Sequence, residues 1–107
     1  MTDTLIFSTT DPEGRVIRLH KKALNHIRQE HPELKASSQS IKAVINIPDF
    51  ITERLPRQEL AYTKISSIDL YLNVYVKMDN TYTEGHVSTA FLQRKPPKGA
   101  VSWYRTT

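Results

Sequence analysis

Histidine is the side chain that most readily both takes and gives a proton near neutral pH. Three of the four histidines fall within twelve positions, His20, His26 and His31, in the stretch Leu-His-Lys-Lys-Ala-Leu-Asn-His-Ile-Arg-Gln-Glu-His-Pro-Glu from Leu19 to Glu33. Arg28 and Glu30 stand among them. Such a set suggests acid–base chemistry on a phosphodiester; a polar helix end is the alternative. His26 and Glu30 are four apart and so share a helix face, where Glu30 can orient His26 as a general base or form a plain solvated pair with it. His31 is either a catalytic imidazole or a cap for free carbonyls at the helix end. His20 reads as structural.

The fourth histidine, His86, lies in Glu84-Gly-His-Val-Ser-Thr-Ala90. A strand there sets His86, Ser88 and Ala90 on one face, and Val87, Thr89 and Phe91 on the other. Both faces carry apolar residues, so alternation leaves open which is exposed. Either His86 with Ser88, or Thr89, can reach the polar face beside Lys77. No Gly-x-Ser-x-Gly elbow supports a serine hydrolase.

Lys64, Lys77, Arg94 and Lys95 come from strands or strand ends, interleaved with Tyr62, Tyr71 and Tyr75. They form either a phosphate-binding, base-stacking surface or an ordinary solvated sheet face. Lys77 stands out because it ends a strand whose other side is unbroken apolar. His26 and His31 are five apart and lack the spacing of a helical metal pair. With no cysteine in the chain, disulfides, thiolate nucleophiles and cysteine–zinc sites are excluded. Neither a metal nor a cofactor is expected.

These residues must be positioned by a single domain, since 107 residues are too few for two ordinary ones. Fifteen Lys and Arg against eleven Asp and Glu give a net charge of +4, a modest excess that suits RNA without requiring it. The start, Met-Thr-Asp-Thr-Leu-Ile-Phe-Ser, lacks the basic head and apolar stretch of a signal peptide. No run approaches the roughly 18 apolar residues of a membrane span. The expected address is the cytoplasm, with no membrane partner.

Along the chain, a hairpin is expected over residues 4–19, turning at Asp11-Pro-Glu-Gly14. A helix over 21–31 follows, with Ala23, Leu24, Ile27 and His31 on its inward stripe, ended by Pro32. Ser37, Ser38 and Ser40 offer caps for a second helix over 38–47, in which Ile41, Val44 and Ile45 keep helical spacing. From Phe50 onward the period becomes two. Leu70, Leu72, Val74, Val76 and Met78 alternate with Tyr71, Asn73, Tyr75 and Lys77, the clearest strand. Together with strands expected near 60–66, 82–92 and 100–105, it makes an antiparallel meander over 60–105. The predicted fold is α+β, two N-terminal helices packed on one face of a four- to five-stranded antiparallel sheet.

His26-Ile27 with His31-Pro-Glu33, then Ile45-Asn-Ile-Pro-Asp49, then Val74-Tyr-Val-Lys77 with Val87-Ser-Thr-Ala90, resemble in order the small phage-associated nuclease domains of the barnase–EndoU–colicin–RelE-like (BECR) superfamily. The resemblance covers roughly Leu19 to Gln93. It implies a metal-independent endoribonuclease, toxin-like or a phage effector, with its active site on the open sheet face. It implies roles for His26, Lys77 and Ser88 or Thr89, with His31 matching the motif. His86 beside the strand motif, and the Arg94-Lys95 pair, depart from the pattern. In the implied mechanism His26 or His86 takes the ribose 2′-hydroxyl proton and Lys77 or Arg94 offsets charge on the phosphorane. A second group protonates the leaving 5′-oxygen. The expected partners are RNA and a cognate inhibitor or antitoxin protein. The competing reading is a non-catalytic RNA- or protein-binding module on the same fold, one partner of a toxin–antitoxin-like pair. Catalysis requires an imidazole close to Lys77 or Arg94.

Overall fold

The computed structural model describes residues 3–106. Strands β1 (Leu5–Thr10) and β2 (Val16–His20) form the expected N-terminal hairpin. Its turn uses Gly14 at φ +85°, a conformation that costs glycine little. Helix α1 (Lys21–Glu30) starts directly at the end of β2 and buries Leu24 and Ile27, three apart on one face. It stops at His31, because Pro32 disfavours helical backbone in the residue before it. Helix α2 (Ser38–Asn46) is capped by reciprocal bonds between Ser37 and Ser40, and buries Ile41, Val44 and Ile45.

Five further strands follow: β3 (Phe50–Arg54), β4 (Glu59–Ser67), β5 (Leu70–Met78), β6 (Glu84–Gln93) and β7 (Ala100–Tyr104). All seven join one sheet in the order β1-β2-β6-β5-β4-β3-β7. A four- to five-stranded antiparallel sheet is therefore not what forms. The sheet is seven-stranded and mixed, because β2 runs parallel to β6 over Val16–Arg18 against Glu84–His86.

The physical reason lies in burial. Ile17 and Leu19 of β2 and Ile51 of β3 are each fully buried, so neither strand can stand apart as a satellite. The meander expected over 60–105 holds only for β4, β5 and β6. The chain then crosses to the far edge, where β7 pairs with β3. The expected start of β6 at Tyr82 is also displaced. Tyr82 sits in the turn at φ +56°, where the Asp79 carboxylate accepts hydrogen bonds from Thr81 and Thr83.

Both helices lie on one sheet face, α1 over β2 and β6, and α2 over β1, β4 and β5. Between helices and sheet lie Ile17, Leu19, Leu24, Ile27, Ile41, Val44, Ile45, Ile51, Leu60, Tyr62, Val74, Val76, Met78, Val87 and Ala90. Each fully buried large aliphatic contributes about 1.5–3 kcal/mol. Tyr62, expected among the surface tyrosines, belongs to this core. Its hydroxyl donates to Asp11 Oδ2 at 2.6 Å, and the same carboxylate accepts from the Glu13 and Arg15 amides and the Arg15 guanidinium, each at 2.9 Å. This ties the hairpin turn to β4. Among the described residues no helix is long and apolar enough to cross a membrane.

A cationic cleft on the open sheet face

Cross-strand partners share a face, so the register reads out the uncovered side row by row. One row runs Arg54, Glu59, Lys77, His86, Arg18 across β3, β4, β5, β6 and β2. The next runs Thr52, Ala61, Tyr75, Thr89, and a third Phe50, Thr63, Asn73, Phe91. The first row sets Glu59 and His86 on the two strands flanking Lys77. Neighbouring strands lie about 4.8 Å apart, so the backbone positions of Glu59 and His86 are two strand spacings apart with Lys77 between them.

Beside this row is a cleft of about 440 Å³, lined by Arg54, Arg57, Glu59, Tyr75, Thr89, Phe91, Gln93 and the loop from Lys95 to Lys98. Four of its side chains are cationic (Arg54, Arg57, Lys95, Lys98) against the one carboxylate of Glu59. The loop is held down by Pro97, which is buried. The Lys77 ammonium donates to the Arg57 carbonyl, which brings it to the cleft rim.

The floor is a column of flat groups. The Arg54 guanidinium lies 5.1 Å from the Tyr75 ring centre, Tyr75 stacks on Phe91 at 5.3 Å, and Phe91 stacks on His31 at 4.8 Å. Ala61 lies between Arg54 and Tyr75 in the sheet and is small enough to let the arginine reach across. The two faces of Tyr75 are thus occupied, one by a cation and one by a ring, and its hydroxyl donates to Gln93. Burial raises its pKa, opposed by Arg54, so the phenol stays a donor. The base-stacking role expected of Tyr75 is not open to it; it holds Arg54 in place instead.

Two polar atoms in the cleft are left wanting. Glu59 Oε1 is 3.2 Å from Arg54, yet this buried oxygen accepts no hydrogen bond among the described residues, and neither does the buried Thr89 Oγ1. Buried polar atoms without partners are rare; Glu59 Oε1 has the Arg54 cation beside it, and nothing among the described residues partners Thr89 Oγ1.

The candidate residues from the sequence divide into two groups. Tyr75, Thr89 and Lys95 line the cleft, Lys77 reaches its rim and His31 stacks on Phe91; His86 shares the row of Lys77 but borders a different hollow. The others go elsewhere. Lys64 shares the helix-covered side with Leu60 and Tyr62 and lies 4.0 Å from Asp49. Arg94 pairs with Asp69, 3.4 Å away, outside the cleft. His26 is exposed on α1 and borders a separate hollow with His20, His86 and Ser88; His20 and His86 approach there to 5.1 Å between ring centres. Ser88 is the extra residue of a β-bulge, where the register shifts between Tyr75 and Val76, and its hydroxyl donates to the Tyr75 carbonyl. The bulge puts Val87 and Ala90 both in the core, which is why the strand looked apolar on two faces.

Arg54, Arg57, Glu59, Phe91, Gln93 and Lys98 were not singled out from the sequence. Arg54 and Glu59 flank the short turn Leu55–Arg57 and Arg57 ends it; charged residues are commonplace there, so their types alone carried no signal. Among the described residues no three His, Asp or Glu side chains converge to hold a metal ion. No family model, no curated protein and no solved structure matches this chain.

Proposed function

We propose that this chain is a metal-independent endoribonuclease that draws single-stranded RNA into the cleft and cleaves it at the row Glu59, Lys77, His86. The observation that carries the reading is that row: two groups able to exchange protons, on the strands either side of a lysine, next to a hollow rimmed by four cations. In this reading the cations bind the phosphates, so affinity for RNA should be electrostatic and salt-sensitive.

Glu59 takes the proton of the ribose 2′-hydroxyl, whose oxygen attacks the adjacent phosphorus. Lys77 and Arg54 neutralise the charge that grows on the non-bridging oxygens. His86 gives a proton to the departing 5′-oxygen. The P–O5′ bond breaks as the O2′–P bond forms, leaving a 2′,3′-cyclic phosphate and a free 5′-hydroxyl. DNA lacks the nucleophile, so a DNA strand binds and remains whole.

The test is purified protein with total RNA in EDTA, alongside Lys77→Ala and His86→Ala. The wild type should cut and both variants should fall by two orders of magnitude or more. Equal cutting by all three would defeat the proposal, and binding without cutting by the wild type would make the domain a non-catalytic RNA-binding module.

A further inference from the structure

The cleft does not end at Arg54. On the far side of Arg54, Arg57 and Lys98 a second groove of about 470 Å³ opens, walled by Leu55, Pro56, Gly99 and Ala100 with Glu53 at its edge. Its character is different. The first hollow is polar and charged, whereas Leu55 is a leucine left 63% exposed in the middle of a cationic rim. An exposed leucine beside Pro56 gains nothing from water, and large exposed apolar side chains grouped at a rim of charge mark binding sites.

The walls are fixed. Gly99 lies so close to β3 that a Cβ there would come within 2.2 Å of the Glu53 carbonyl oxygen, and its φ is +144°. The loop carrying Lys98 and Ala100 is therefore pressed against the strand that carries Arg54. On the other wall, Gln58 takes φ +53° to end the turn, and its side-chain amide donates to the Met78 carbonyl and to Asn80.

We propose that this groove is a second subsite, which receives a nucleobase of the same RNA strand. The inference rests on the endoribonuclease reading above. The occupant follows from the chemistry of the walls. Three cations shared with the cleft call for a chain of phosphates that continues from one hollow to the other. The apolar patch between them calls for a flat, weakly polar group attached to that chain. A nucleotide strand carries both; a bare polyanion carries only the first. The subsite also supplies the base contact that the floor lacks, because the faces of Tyr75 are already taken.

Leu55→Ala removes the apolar wall at an exposed position, so the fold should be untouched; Arg57→Ala removes a shared cation. Binding is measured by fluorescence anisotropy over a range of salt, with a non-cleavable 2′-O-methyl oligoribonucleotide and with inorganic polyphosphate. Leu55→Ala should weaken the oligonucleotide about tenfold, leave its salt slope unchanged, and leave polyphosphate binding as it was. Arg57→Ala should weaken both ligands and reduce the slope of log K against log salt by about 0.7. If Leu55→Ala leaves the oligonucleotide unchanged, or weakens polyphosphate equally, the subsite is wrong while the cleft stands. If Arg57→Ala also has no effect, the RNA reading falls with it.

Discussion

Two arginine–carboxylate pairs in this fold have similar lengths and opposite surroundings. Arg15 and Asp11 meet at 2.9 Å, and Arg54 and Glu59 at 3.2 Å. Asp11 receives four donors in all and is 5% exposed; nothing is left for it to bind. Glu59 has one ion-pair partner, Arg54, and an oxygen that accepts no hydrogen bond among the described residues, in the wall of a hollow. A buried carboxylate whose lone pairs are filled fixes a structure, and one held by a single arginine at the wall of a cleft keeps capacity for a further partner. The difference is invisible in residue type and is set by neighbours alone.

The sharpest way to break this comparison is to alter Glu59. Glu59→Gln keeps size and burial but cannot take a proton, so initial rates on RNA should fall about 10²–10⁴-fold, with a melting temperature within a few degrees of wild type. His26→Ala should stay within about twofold of wild type in the same assay, because His26 is exposed on α1, outside the row of Glu59, Lys77 and His86, although it borders the same hollow as His86. A large loss in His26→Ala, with Glu59→Gln active, would move the chemistry from the cleft to α1.

Asp11→Ala should do the reverse. Removing Asp11 strips the Tyr62 hydroxyl of its acceptor and leaves Arg15 only the exposed Glu13, at a cost of about 3–5 kcal/mol, read as a lower urea midpoint. Cleavage per folded molecule should be unchanged, since Asp11 lies on the helix side with Tyr62. Loss of activity at full stability would overturn the division of labour between the two carboxylates.

The same buried network sets a pH limit. Burial raises the Tyr62 phenol, and the hydrogen bond to Asp11 adds to it. A raised folded pKa means that the neutral phenol's stability is complete below the unfolded value of about 10 and is lost above it. Stability should therefore decline above pH 10, by up to about 1.4 kcal/mol per pH unit from this group. Urea titrations from pH 8 to 11 check it: Tyr62→Phe should be less stable at pH 8 and flatter above pH 10. An equally steep decline in the variant would assign the alkaline loss elsewhere.

How much of this was legible in the sequence varies with how local the cause is. Helix α1 and α2 were readable because apolar spacing, Pro32 and the Ser37–Ser40 cap act within a few residues. Strand β5 was readable from alternation, and with it Tyr75 and Lys77 on one face. Sheet membership was not. Whether β2 lies alone or against β6, and whether β7 follows β6 or crosses to β3, depends on contacts between segments far apart in sequence. The bulge at Ser88 defeated the period-two reading of β6. Lys64 was misplaced for a related reason: β4 alternates Leu60, Tyr62, Lys64 on the helix side, but a tyrosine in a strand reads as surface as easily as core until its partner, Asp11, is known. Glu59 was missed because a charged residue beside a turn needs no special role.

The smallest expected effects concern two adjacent residues. Arg94 and Lys95 look equivalent in the sequence as cations at the end of a strand. In the fold the Arg94 side chain is 77% exposed and reaches Asp69, while Lys95, also exposed, lines the cleft. An exposed ion pair contributes little to stability or to binding elsewhere. Lys95→Ala should therefore reduce the salt slope of RNA binding by about 0.7 and weaken affinity several-fold, whereas Arg94→Ala and Lys64→Ala should leave both unchanged. If all three variants lower the slope alike, the RNA is held by the domain's overall positive charge rather than by the cleft, and the rows of the open face lose their claim to be a site.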